Sequence, residues 1–176
     1  MFRSLLLLVF LAATPAGTRE VTDGDRRAVT ALAAQFGLGL AEGPAADMLQ
    51  TLPPPVIEVL AARTGTTPER FTAVMAGQID GWRRLAQVES LDMDVNGAPA
   101  GRTPAGRPYL LIPTEMVVAS EMTGRVRSTG VTLALEIEGR WYMAQVHTAD
   151  LQSALREAFL DFEDLTFPEQ EVKPLR

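Results

Sequence analysis

Cysteine is absent from this 176-residue chain, and histidine occurs once, at position 147. The first absence excludes a disulfide framework, a thiol nucleophile, a lipid-anchored lipoprotein and any cysteine-ligated zinc or iron–sulfur centre. The second leaves any metal to carboxylates, because a lone imidazole cannot build a zinc site. Basic runs are missing as well: Arg26-Arg27 and Arg83-Arg84 are isolated pairs among 16 Lys+Arg, set against 22 Asp+Glu. Nucleic acids and anionic membranes need a clustered cationic footprint, so neither is an expected partner. No serine stands in a G-x-S-x-G or S-x-x-K pattern. Gly37-Leu38-Gly39 falls inside a helical stripe and follows no strand, so it is no dinucleotide fingerprint. Hydrolase, kinase and dehydrogenase chemistry therefore lack their motifs, and no cofactor is expected.

What is present begins with an address. Met1-Phe2-Arg3 is a short basic head, residues 4–13 (SLLLLVFLAA) are apolar, and Thr14-Pro15-Ala16 places small residues before a cleavage point. This pattern predicts a signal peptide over residues 1–16, cleaved after Ala16, and a secreted or periplasmic location. The apolar run is well short of the roughly 20 residues that cross a bilayer, so the mature protein is expected free and soluble, with no stable membrane anchor. Removal of Arg3 leaves 15 basic against 22 acidic residues, a net charge of −7. A mature chain of about 160 residues makes one domain, which at this size buries roughly 68–70% of its unfolded surface and needs no covalent staples. That domain is expected over residues 17–162, with residues 163–176 a polar, mobile tail.

Residues 22–87 carry helical periodicity. Val29, Leu32, Phe36 and Leu40 form one apolar stripe that ends at Gly43-Pro44. A short helix over 44–52 stops at Pro53-Pro54-Pro55, whose prolines suit the first turn of a third helix ending at Arg63. Thr66-Thr67-Pro68-Glu69 opens a fourth, whose stripe of Phe71, Met75, Ile79, Trp82 and Ala86 reads as core. Gly77 and Gly81 on an adjoining face suggest close approach of another backbone. From Val88 the period drops to two. Leu91, Met93 and Val95 suggest an edge strand, a Gly/Pro-rich loop follows over 96–108, and strands are expected over 109–121, 126–137 and 141–147. A closing helix carries Leu151, Leu155, Ala158, Phe159 and Phe162.

Both hairpin connections read E-x-x-G-R, at residues 121–125 and 136–140. A three-residue loop wants glycine at its left-handed third position, which sets Glu121 opposite Arg125 and Glu136 opposite Arg140. On that register Leu135 faces Trp141, Leu133 faces Met143, Val131 faces both Gln145 and Glu115, and Thr129 faces His147 and Val117. Leu133, Leu135, Trp141, Met143 and Gln145 then line one inner, ligand-binding face, shared with Glu115 and His147. A bulge at Gly130 would flip part of it. Glu115 and Gln145 would stand two strands apart, about 10 Å, with room for a small ligand between. Glu115 and His147 are the candidate acid/base residues. The weightier alternative makes His147 a strand-end residue at the rim of the sheet.

Asp92, Asp94, Asn96 and Gly97 match the opening of an EF-hand loop, but position 12 is Thr103 and position 8 is Pro99. Without the bidentate carboxylate the stretch reads better as a strand end with an Asn-Gly turn, and no metal is expected.

Helices first, then a curved antiparallel meander and a closing helix, form an order carried by three stretches: ALAAQFGLGLAEGPAADMLQTLPPPVIEVL, YLLIPTEMVVAS and TLALEIEGRWYMAQVHTADLQSALREAF. In this order the chain resembles the nuclear transport factor two-like superfamily, in particular its secreted bacterial members. The resemblance implies an α+β cone, with N-terminal helices packed on a curved antiparallel sheet. The superfamily includes ketosteroid isomerases, dehydratases, epoxide hydrolases and polyketide cyclases beside non-catalytic binding and dimerisation modules, so fold alone selects no function. The isomerases' tyrosine and aspartate pair has no counterpart: the first helix lacks tyrosine, and Tyr142 is expected to point outward. The expectation is a non-catalytic module that binds an apolar small molecule or a protein partner, with a homodimer as one form of the latter. The alternative is a cofactor-free isomerase, dehydratase or cyclase using Glu115 and His147.

Overall fold

The computed structural model describes residues 20–175; the expected signal peptide lies outside them. The chain is α+β, with N-terminal helices set against a curled antiparallel half-barrel sheet and a short C-terminal helix. Helix α1 (Asp23–Ala41) starts at a capping box in which Thr22 accepts from the Asp25 amide and the Asp25 carboxylate accepts from the Thr22 amide. Two donors orphaned at the helix start are thereby satisfied. Helix α2 (Ala45–Leu49) follows Gly43-Pro44, and α3 (Pro54–Arg63) takes its prolines in the first turn. Helix α4 (Pro68–Arg83) is capped by Thr67 and stops short of the expected end. Gly39 is where backbones meet most closely. A Cβ there would stand 2.8 Å from both the amide nitrogen and the Cβ of Met48, so α2 crosses α1 at a point only glycine permits. Gly77 faces open space and Gly81 meets only the tip of Arg84, so neither serves the close approach expected of them.

The sheet holds β1 (Ala86–Met93), β2 (Ala100–Arg102), β3 (Pro108–Ser120), β4 (Gly124–Ile137), β5 (Arg140–Gln145) and β6 (Glu171–Leu175), all paired antiparallel. β3 and β4 are its long central strands; β1 and β2 share the outer edge of β3, and β5 and β6 share that of β4. The loop after β1 thus contains a short strand of its own. The expected polar tail is not loose at its end: residues 171–175 return to pair with Arg125–Thr129 of β4. Their pattern was misleading because this strand is held by its backbone and leaves its side chains largely exposed. Pro174 is tolerated there because an edge strand can lose one ladder donor.

Both hairpins depart from the expected register. Between β4 and β5 the turn is only Glu138-Gly139, with φ of 52° and 82°. Two consecutive left-handed residues make a type I′ turn, so Ile137 pairs with Arg140, Glu136 with Trp141, and Leu135 with Tyr142. The Glu136 carboxylate accepts from the Gly139 amide at 2.9 Å, and its ladder partner is Trp141. Between β3 and β4 the last pair is Ser120 with Gly124, and the loop is Glu121-Met122-Thr123, tied by the Ser120 and Thr123 hydroxyls. Gly124 is left-handed as expected, at φ 70°. Arg125, however, stands opposite Ala119 and reaches Glu89 of β1 at 2.6 Å. Here the slip is two residues, setting Glu115 opposite Thr129 and Val117 opposite Arg127. The ladder runs through Gly130 without a break, and the register shift falls in β1 between Val88 and Ser90.

A slip of two preserves the faces of a strand, and a slip of one reverses them. The expected inner group is therefore divided. Leu133 and Leu135 lie with Ala144 and Val146 on the face covered by α5 (Ala149–Ala158) and the following 3-10 turn (Leu160–Phe162), against Leu155, Phe159 and Phe162. Trp141 and Met143 lie on the opposite face with Leu110, Ile112 and Ala134, beneath Val29 of α1. Tyr142 faces the α5 side, half-buried, with the Arg140 guanidinium 4.9 Å from its ring centre. The Trp141 indole donates to Asp25 at 3.1 Å, joining β5 to the capping box of α1. The free edge of β5 is partly closed by the chain before α3, where the Met143 amide donates to the Thr51 carbonyl at 2.7 Å.

Candidate functional site

The apolar stripe of α4 is core only in part: Met75 and Ile79 pack against the buried cluster of Phe36, Met48 and Leu49. None of the residues of α4 is fully buried, although Phe71, Met75, Ile79 and Trp82 all point inward. What they face is a cavity of about 610 Å³. Its roof is α4. Phe36 and Leu40 of α1, Met48 and Leu49 of α2, and Leu52 and Leu60 around α3 form the walls. The floor is the α1 face of the sheet, where Thr114 and Met116 of β3 lie beside Ser128, Gly130 and Thr132 of β4 and Gln145 of β5. Volume and lining fall within the range of small-molecule pockets, apolar with a few polar groups.

The polar groups are gathered rather than scattered. Thr132 pairs across the ladder with Gln145. Its hydroxyl lies 2.9 Å from the Thr114 hydroxyl and can donate to it, leaving the single Thr114 proton for the Ile112 carbonyl at 3.0 Å. This row crosses the floor toward the end of β5, where the chain leaves the sheet and His147, Thr148, Asp150 and Leu151 complete the wall. Thr148 caps α5 by accepting from the Leu151 amide at 3.3 Å. The Gln170 amide nitrogen bonds to the Ser128 hydroxyl where the chain turns back into β6, closing that corner.

His147 stands at the rim, open to solvent on one side. Partial burial disfavours the imidazolium and lowers its pKa below the ordinary histidine value. The neutral form, which offers one donor and one acceptor, is thereby favoured. Among the described residues, neither His147 nor Gln145 engages its side chain in a hydrogen bond, so both are available to an occupant.

Of the residues expected to form the ligand face, only Gln145 and His147 line this cavity. Leu133 and Leu135 are sealed under α5, and Trp141 and Met143 under α1. Glu115 belongs to the reverse side of the sheet. It shares the face of Leu133 by alternation along β3 and pairs with Arg127 at 3.2 Å. The structure does not bring Glu115 and His147 together, so the two-residue acid/base arrangement loses its geometry. The residues missed by sequence reasoning are Thr114, Thr132 and the α4 stripe. The stripe was visible as apolar periodicity, but nothing local distinguished a cavity wall from a packed core.

Asp92 and Asp94 border a second, more open hollow between α1 and β1. The Asp94 carboxylate accepts from the Gly97 amide at 2.8 Å, closing the turn over residues 94–97. Arg26 donates to the carbonyls of Val95, Asn96 and Ala98 at 2.6, 3.2 and 3.1 Å, so this loop already holds a guanidinium against its oxygens. Among the described residues no cluster of three or more histidine and carboxylate side chains forms a metal site. No helix among them is long and apolar enough to cross a membrane. No protein-family model, curated protein or solved structure matches the chain.

Proposed function

We propose that this protein is an exported, non-catalytic binding module of the nuclear transport factor two-like kind, holding an apolar small molecule between α4 and the sheet. The observation that carries the reading is the 610 Å³ cavity beneath an apolar helix with no buried residue. A helix of 16 residues whose stripe of Phe, Met, Ile and Trp stays partly exposed leaves apolar area for an occupant to cover. The separation of Glu115 from His147 favours binding over acid/base catalysis, because general catalysis needs both groups within hydrogen-bond reach of the reacting atoms.

The test uses the fluorescent apolar probe N-phenyl-1-naphthylamine with the purified protein and with Ile79→Trp, which extends a half-buried wall residue into the cavity. Saturable enhancement with the native chain and its loss in Ile79→Trp are expected, together with an apolar molecule in mass spectra of the protein purified from its host. Equal probe binding by both chains, with nothing co-purifying, would overturn the reading.

A further inference from the structure

We propose that the cavity selects an uncharged amphiphile, one whose hydroxyl or amide head sits against Gln145 and His147 and whose apolar body lies beneath α4. The inference rests on the binding reading above and goes beyond it by assigning the charge class of the ligand.

Neither lysine nor arginine is among the residues that line the cavity. Of the arginines of α3, α4 and the α4 C-cap, Arg70 and Arg84 lie outside the lining, and Arg63 and Arg83 are held elsewhere. Arg63 of α3 is held by Glu157, Ser153 and the Asp150 carbonyl. Arg83 of α4 is held by the carbonyls of Gly39 and Gly43 and by Asp80. A carboxylate or phosphate entering the cavity would lose water without gaining a cation, and a charge buried unpaired is among the costliest arrangements in a protein. The one ionisable acid in the lining, Asp150, offers an anion no partner. An ammonium gains little in return, because Asp150 is exposed in the first turn of α5, where the helix N-terminus already compensates its charge.

What the polar end does offer is neutral and two-sided. Gln145 presents an amide with donors and an acceptor, and the uncharged imidazole of His147 presents one of each. An alcohol or primary amide can satisfy both while itself donating and accepting. The rest of the lining supplies the apolar complement, with Met48, Met75 and Ile79 around the body of the ligand. Methionines suit this role because their unbranched side chains adapt to the shape of an occupant.

The experiment measures displacement of N-phenyl-1-naphthylamine at pH 7.5 by four ligands of one chain length: 1-dodecanol, dodecanamide, dodecanoate and dodecylammonium. The alcohol and the amide are expected to displace the probe at concentrations at least tenfold below those of either ion. In Gln145→Met and in His147→Leu, with displacement referred to each variant's own probe affinity, the advantage of the alcohol over dodecanoate should fall severalfold. Equal or stronger displacement by dodecanoate overturns the charge assignment and leaves the binding reading standing, as does a preference for dodecylammonium. An unchanged alcohol preference in both variants overturns the placement of the head. Failure of the probe to bind at all removes the binding reading itself, and this inference with it.

Discussion

Helices α1 and α4 carry similar apolar stripes and border the same face of the sheet, yet one is sealed and the other is not. Val29 of α1 is entirely buried over Met143 and Ile112, and Phe36 retains 3% exposure. On α4, Trp82 stays 36% exposed and no residue is fully buried. The difference comes from what lies beneath. Under the first half of α1 the floor carries Trp141 and Met143, large side chains that fill the space. Under α4 it carries mostly short side chains, Thr114, Ser128, Gly130 and Thr132, with Met116 and Gln145 the longer ones. An apolar stripe reports that a helix prefers an apolar neighbour; the neighbour's volume decides whether the result is core or cavity.

The comparison can be broken with matched methionines. Met143→Ala, at the sealed end, should cost about 2–5 kcal/mol, the range for buried large-to-small changes. Met75→Ala, at the open end, should cost less, about 1–2 kcal/mol, since Met75 is not fully buried and borders the cavity. Urea unfolding of both variants checks this, and equal losses would mean that α4 is packed as firmly as α1. Two glycines give the next contrast. Gly39→Ala forces a Cβ against the Met48 backbone and should destabilise by about 1–3 kcal/mol. Gly77→Ala meets nothing and should stabilise by about 0.5–1 kcal/mol through helix propensity. Opposite signs in thermal or chemical melts are the expected result.

Trp141→Phe probes the seal itself. It keeps an aromatic ring under α1 but withdraws one donor from the Asp25 carboxylate, at a cost of about 1–3 kcal/mol. A loss this large in Trp141→Phe that vanishes in an Asp25→Ala background would locate the effect in that bond. The smallest expected effect belongs to the open end and to pH. His147 has its pKa lowered by burial, so the unfolded chain binds a proton more readily than the folded one. Its contribution is complete above the unfolded histidine value of about 6.5. Stability should fall as pH drops below that value, toward the lower folded pKa. Comparing His147→Gln with the parent between pH 7.5 and 5 should show a shallower decline in the variant.

Much of the architecture was legible in local chemistry. Thr22 and Thr67 mark helix starts, Pro53-Pro54-Pro55 opens α3, and Gly124 and Gly139 take the left-handed backbone that their hairpins need. The site was legible only in part. Gly139 suits the third position of a three-residue loop and the second position of a two-residue loop equally well. The choice fell to Glu138, which adopts a positive φ with little local signal for it. One residue of slip then placed Trp141 and Met143 on the face opposite Leu133 and Leu135, while Gln145 and His147 were assigned to a pocket they do line, alongside companions other than those expected.

Element order, helix caps, turn glycines and the strongly apolar strand centres were determined by the sequence alone, because each depends on residues within a few positions of one another. Register, the return of residues 171–175 to β4, the separation of Glu115 from His147 and the hollow beneath α4 were decided only in the tertiary structure. Those features depend on how distant segments share space. Side-chain alternation turns a one-residue shift into a change of face, and a cavity exists only where the summed volumes of residues far apart in the chain fall short of the room between them.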